Sequence, residues 1–231
     1  MAGRSVPGFL PSRSGFRFNN SFARVPLRVI GIPGVVRIPL GDASNGLCGG
    51  MALSVRDYFE AGRPPPPDTT PPRSGPLFDY LVERLLDSFN LPMGPARYLE
   101  LMNPALPDGE PVFRWLRLGP HGRAWRMVRE EWPGIRSDID AGRLSPLGLV
   151  LVKSVDPFDL KLNHQVLAYG YELEGDSLTV RLYDPNHASR DDVAITLTPV
   201  DPGKPVSVTL SPGARRVHSF FRVDYRPSTP P

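Results

Sequence analysis

Cys48 is the only cysteine in the 231-residue chain, and Gly46, Gly49 and Gly50 surround it. Backbone can therefore approach a bound molecule closely at this point. Met51, Val55, Tyr58 and Phe59 follow at helical spacing, so the cysteine opens an amphipathic helix that runs to about Ala61 and stops at Gly62. Unpaired N–H groups and the positive end of the dipole at a helix N-terminus favour the thiolate. The thiolate is the reactive species in thiol acyl chemistry. Such a nucleophile needs a base, and His164 is the candidate. It opens a β-hairpin whose turn falls near Glu174–Gly175–Asp176. In an even register, one that sets His164 opposite Asp184 or Asn186, all three share a face and directly opposed Cβ atoms stand about 4.5–5.5 Å apart. Either residue then accepts the imidazole N–H, fixes the tautomer and leaves the other ring nitrogen for Cys48. An odd register sends them to opposite faces.

Each of these residues also has an ordinary reading. A lone cysteine is commonly a small buried apolar side chain. Asp184-Pro185-Asn186 is also ordinary turn chemistry after a strand. His187 lies past the strand end as a competing base, and His121 and His218 have no companions and read as structural. No His, Asp or Glu spacing matches a metal-ligand set, and Gly31-Ile32-Pro33-Gly34 lacks the spacing and lysine of a phosphate loop. No metal or other cofactor is expected. Asp156-Pro157-Phe158-Asp159 is a loop just before His164, read as a connector that borders the cleft. Trp115, Trp125 and Trp132 fit helix packing.

The elements that position these groups divide the chain in two. Leu27–Ile30 and Val35–Leu40 read as short strands. After the Cys48 helix, Pro76 to Phe89 forms a second amphipathic helix with Leu77, Leu81, Leu85, Leu86 and Phe89 on one stripe. A third helix runs from Gly122 to Trp132 and stops at Pro133, and a short one covers Ile135–Ala141. Strands follow over Leu147–Lys153, Gln165–Glu172, Ser177–Tyr183, Asp192–Leu197, Pro205–Leu210 and Val217–Tyr225. Helices followed by antiparallel strands are the α+β signature. One domain over 16–225 is predicted, with a helical part at 45–142 and a sheet part at 147–225. Residues 1–15 read as a flexible arm and 226–231 as a frayed tail. The proline-rich stretch 63–76 reads as a stiff surface connector, with a ligand for a proline-reading domain as the alternative.

Composition narrows the function classes. There are 22 Gly and 29 Pro, which argues against a helical bundle and for a loop-rich mixed fold. The 27 Lys+Arg against 24 Asp+Glu leave a net charge of only +3. Only Lys153, Lys161 and Lys204 are lysines, an arginine bias that fits a GC-rich bacterial genome better than a nucleic-acid surface. With no block of like charge and no aromatic–basic interleaving, nucleic-acid binding is not expected. The single cysteine excludes an internal disulfide and clustered-Cys zinc sites. No apolar run reaches about 18 residues, so no membrane span is expected. The N-terminus lacks the apolar core of a secretory signal, which gives a cytosolic default, with export by a signal-independent machine as the alternative. Nothing in the sequence sets an oligomeric state.

Cys48-Gly49-Gly50 entering a helix, the Ile139-Asp140-Ala141-Gly142-Arg143 turn into an apolar strand, His164-Gln165-Val166-Leu167 with Gly170-Tyr171, and a strand ending in Asp184-Pro185 together resemble the papain-like cysteine peptidase superfamily. The nearest likeness is to the bacterial branch of bacteriocin-leader peptidases and their stand-alone relatives. The motifs span roughly residues 45–187. The resemblance implies a papain-like fold, with the nucleophile helix packed on a C-terminal antiparallel sheet. It also implies a peptide or protein substrate, a nucleophile at Cys48, a base at His164 and an orienting group at Asp184, with Asn186 as its alternative. The family's oxyanion glutamine, about six residues before the cysteine, is replaced here by Asp42. Asn45 is the nearest amide able to serve beside the Cys48 backbone N–H. The reading is a thiol hydrolase, a peptidase or amidase working through an acyl-enzyme. The alternatives are a thiol acyltransferase or transglutaminase-like enzyme, and a papain-fold binding module with weak or no activity.

Overall fold

In a computed structural model, residues 2–27, 42–110, 121–201, 204 and 206–231 are described. The strand expected over Val35–Leu40, and most of that over Leu27–Ile30, lie outside these residues, as do Trp115 and Gly31–Gly34.

The chain is a mixed α+β structure built on an eight-stranded antiparallel sheet. Its strands are β1 (Ala2–Ser5), β2 (Ser145–Val150), β3 (His164–Glu174), β4 (Ser177–Tyr183), β5 (Ala194–Thr198), β6 (Ser207–Ser211), β7 (Arg215–Arg216) and β8 (Ser219–Arg222). Their order is β7-β6-β5-β4-β3-β2-β8, with β1 alongside the outer half of β3. β2 is buried along its whole length and β3 from His164 to Tyr171, so neither face of the sheet centre meets water. The helices are α1 (Pro11–Ser14), α2 (Cys48–Glu60), α3 (Pro76–Ser88), α4 (Met93–Met102), α5 (Arg123–Trp125) and α6 (Trp132–Asp140). α2 lies on β3 and against α3, and α6 packs on β1, β2, β3 and β8. A Cβ at Gly50 would overlap the Leu81 carbonyl oxygen, so a glycine there lets α2 and α3 meet backbone to backbone.

The structure departs from the sequence reading in several places. Residues 1–15 are not a loose arm: Ala2–Ser5 pair with Gly170–Leu173, and Val6, Phe9 and Pro11 are buried. Isolated polar and proline-rich sequence hides this, because the partner strand is about 170 residues away. The helix before Pro133 does not stop there. Arg126–Glu131 form a π-helical segment, and α6 begins at Trp132 with the proline in its first turn. A proline in the first helical turn loses no bond, and the wide turn before it relieves the ring's clash with the preceding carbonyls. α4 was not anticipated. Gly94 and Pro95 read as breakers but fall in its first turn, where proline is tolerated.

The tail does not fray either. The Ser228 N–H and the Tyr225 hydroxyl donate to Asp57 Oδ1 at 3.1 and 2.7 Å, and Arg63 donates to the carbonyls of Pro230 and Pro231, each at 2.8 Å. Asp57, buried on α2, also accepts from Tyr80 and from Arg84, whose side chain is itself buried. One carboxylate thus ties α2, α3 and the tail together. Removing one partner of such a buried pair leaves a charge without compensation. Asp57→Ala is therefore expected to lower the urea-unfolding free energy by about 3–5 kcal/mol. A loss well under 1 kcal/mol would show that the cluster does not hold α2 in place.

Candidate active site

β3 and β4 are joined by the two-residue turn Gly175–Asp176, with Glu174 paired to Ser177. That turn sets an odd register, and continued straight down the hairpin it would put His164 and Asp184 on opposite faces. The ladder does not continue straight. It shifts by one residue between Ala168 and Gly170, and beyond the bulge Ala168 pairs with Leu182 and Leu167 with Tyr183. The register there is the even one, in which His164 faces Asn186 with Asp184 on the same side. The extra residue, Tyr169, is buried against Phe9. The bulge is thus anchored, and it re-aims the side chains at the strand end.

His164 Nε2 lies 2.6 Å from Asp184 Oδ1, and both residues are buried. Asp184 Oδ1 also accepts the Asn186 backbone N–H at 2.8 Å, and Oδ2 lies 3.1 Å from His187 Nδ1. Asp184 is therefore the direct partner of the imidazole. Asn186 lies beside the ring, its amide nitrogen 3.3 Å from Nε2, and its bond in the site is the one its backbone N–H makes to Asp184. His187 shares the carboxylate and does not replace His164. With Nε2 engaged, Nδ1 is the ring nitrogen left for Cys48, and thiol and imidazole line the same cleft, near enough for each to shift the other's pKa. Cys48 is half-buried at the first position of α2, where no side chain caps the helix.

Burial alone disfavours a Cys48 thiolate. The hydrogen bond and charge of His164, with the backbone N–H groups of Gln165 and Gly49, outweigh it and hold the thiol below its ordinary value. Burial likewise works against a charged His164, but the Asp184 carboxylate and the Cys48 sulfur raise its pKa to about 10. Asp184 is also penalised by burial, and its bonds to His164, the Asn186 N–H and the nearby His187 bring it down to about 2. These directions describe a thiolate–imidazolium pair backed by a carboxylate.

The thiol opens onto a cleft of about 260 Å³, walled by Leu85, Phe89, Pro95 and Tyr98 from α3, α4 and the segment between, and by Pro157, Phe158, Leu160 and Lys161. The last four belong to a 3-10 turn over Pro157–Leu162. The segment read as a connector thus forms one wall of the cleft. Asn45 is exposed on the cleft beside Gly46. Asp42 is turned elsewhere: its Oδ1 accepts the backbone N–H groups of Ser44 and Val25, which caps the short turn before Cys48. His121 stacks on Trp125, and the His218 N–H donates to the Val150 carbonyl, both away from the cleft lining. Among the described residues no group of three or more His, Cys, Asp or Glu is placed to hold a metal ion.

The sequence reading missed Asn20. Its Oδ1 accepts the Leu47 N–H at 2.6 Å, directly before Cys48, and its Nδ2 donates to Asn186 Oδ1 at 3.2 Å. A Cβ at Gly46, whose φ is +93°, would come within 2.5 Å of Asn20 Nδ2. The one available signal was a polar Asn19-Asn20 doublet among Phe16, Phe18 and Phe22, all of them buried.

No protein-family model matches the chain, and neither the search of curated proteins nor that of solved structures finds a match.

The Asp184–His164 pair makes stability depend on pH. Asp184 falls from 3.8 to about 2, so its contribution is present above 3.8 and lost as pH falls through 2. His164 rises from 6.5 to about 10, so its contribution is full below 6.5 and lost as pH rises through 10. The stability gap between wild type and Asp184→Asn, read by urea unfolding across pH, should be widest between those inner limits and shrink on both sides. A gap that is flat with pH would contradict the pairing.

Proposed function

We propose that the chain is a cysteine-dependent acyl hydrolase, a peptidase or amidase of papain-like fold, acting on peptide or protein substrates through Cys48, His164 and Asp184. The observation that carries this reading is His164, held at 2.6 Å by a buried Asp184 on Nε2 and lining the same cleft as Cys48. Asn186 acts on the same group through Asp184, to which its backbone N–H donates. The nucleophile helix lying on the strand that carries the base supports the papain-like part of the reading.

In this mechanism the Cys48 thiolate attacks a carbonyl carbon and forms an S–C bond, and the carbonyl π electrons move to oxygen. The Cys48 backbone N–H and the Asn45 amide hold the oxyanion. As the tetrahedral adduct collapses, the C–N bond breaks and the His164 imidazolium protonates the departing amine. Water then attacks the thioester, His164 takes its proton, and the acid leaves as the S–C bond breaks. Asp184 carries no proton in this cycle; it keeps the ring oriented and its charge favoured. Asp42, committed to capping, takes no part. No helix among the described residues is long and apolar enough to cross a membrane. A reducing compartment such as the cytosol would keep the lone thiol in the form this chemistry needs.

Labelling with a thiol-reactive acyl probe tests the reading. Wild type should label at Cys48, and Cys48→Ala should not label. His164→Ala should label about 10²–10⁴-fold more slowly. Wild-type labelling no faster than that of the unfolded chain would overturn the hydrolase reading in favour of a binding module. An added amine appearing in the product would indicate transfer instead of hydrolysis. Asn45→Ala should slow acylation by about 10²–10³-fold, yet leave iodoacetamide alkylation unchanged, because that displacement forms no oxyanion. Equal loss in both assays would remove Asn45 from the oxyanion role.

A further inference from the structure

We infer that Asn20 is a positioning residue that locks the nucleophile loop to the base–carboxylate loop. The inference rests on the Cys48–His164–Asp184 reading and deepens it. Cys48 stands on α2, while His164 opens β3 and Asp184 directly follows β4. A shift of about 1 Å between such elements costs up to about 10²-fold in rate. Core packing of α2 sets the spacing between helix and sheet; the Asn20 side chain ties the two loops at the level of the reacting atoms.

The connection runs through hydrogen bonds on every side of Asn20. Its backbone N–H donates to the Pro185 carbonyl at 2.8 Å, which docks the segment on the loop after Asp184. Asn19 Oδ1 accepts the Ala188 N–H at 2.8 Å and secures the far end of the same loop. The Asn20 side chain then bridges the Leu47 N–H and the Asn186 amide oxygen, and the Asn186 backbone N–H donates to Asp184, the partner of His164. Leu47 precedes Cys48 and is the capping residue of α2, whose own side chain makes no cap. The Asn20 oxygen satisfies the Leu47 N–H, directly before Cys48, while its amide N–H holds the Asn186 loop. The close approach of Asn20 to Gly46 is an independent sign of a built contact, since any side chain at 46 would displace it.

Iodoacetamide alkylation of Cys48 as a function of pH tests the inference without needing a substrate. Asn20→Ala should cut the rate at neutral pH about tenfold and move the midpoint of the profile upward, because a looser His164 stabilises the thiolate less. Asn186→Ala should do the same. The double variant should be no worse than the more affected single one, since both break one chain of bonds. A purely structural role would lower the unfolding temperature and leave the pH midpoint in place; an Asn20→Ala profile matching wild type overturns the inference. If Asn20→Ala does not fold, the isosteric Asn20→Leu must show the same upward move. A wild-type Cys48 no more reactive than the unfolded control would instead sink the catalytic reading itself, so the two failures are distinguishable.

Discussion

The site depends on one carboxylate being kept ionised where water cannot reach it. A buried Asp184 loses its hydration, and that cost is large unless donors replace it. Here the replacements converge: the His164 ring, the Asn186 backbone N–H and the His187 ring all reach its two oxygens. Once Asp184 is charged, a charged His164 follows despite its own burial, and a charged His164 in turn favours the thiolate at Cys48. Each group is individually unsuited to its surroundings and becomes tolerable through the next. Such a row is cooperative, and removing any one member is felt along the whole row.

Geometry alone does not follow from that chemistry, and it is supplied by a bulge. A two-residue turn at Gly175–Asp176 is the obvious solution for this hairpin, but it gives the wrong parity for His164 and Asp184. Placing Tyr169 as an extra residue corrects it, and its ring is held by Phe9 from the first residues of the chain. The N-terminal segment thus contributes twice: Phe9 seats the bulge, and Asn20 bridges Leu47, beside Cys48, and Asn186, beside Asp184. The first of these comes from sequence that looks, by composition, like a solvated arm.

What was legible in the sequence follows from range. α2 and α3 were readable almost to the residue because helical periodicity is local. The β3–β4 hairpin was readable because its turn residues sit between its strands. The Cys48, His164 and Asp184 trio was readable as residue types, but its geometry hung on a parity that no local pattern decides; a bulge is a tertiary event and left no mark beyond an ordinary Tyr-Gly pair. β1 was missed because its partner is near the other end of the chain. α4 was missed because Gly94 and Pro95 carry the same letters whether they break a helix or begin one. The π-helical segment before Pro133 belongs to the same class, since a proline that ends a helix and one that restarts it are alike on paper. Asp42 stood out in the sequence only as a carboxylate at the family's oxyanion position, and its task as a cap became visible with its two backbone partners in place.

The ionisation state of Cys48 is the most direct point at which this account meets experiment. Ultraviolet absorbance of the thiolate, followed as pH is raised, reads that state without any reagent. The account expects the absorbance to rise well below the range of an ordinary cysteine, about 8.5, in the native protein, and to move back up in His164→Ala. An absorbance that rises at the ordinary value in wild type, or that is unmoved by loss of the imidazole, would contradict it.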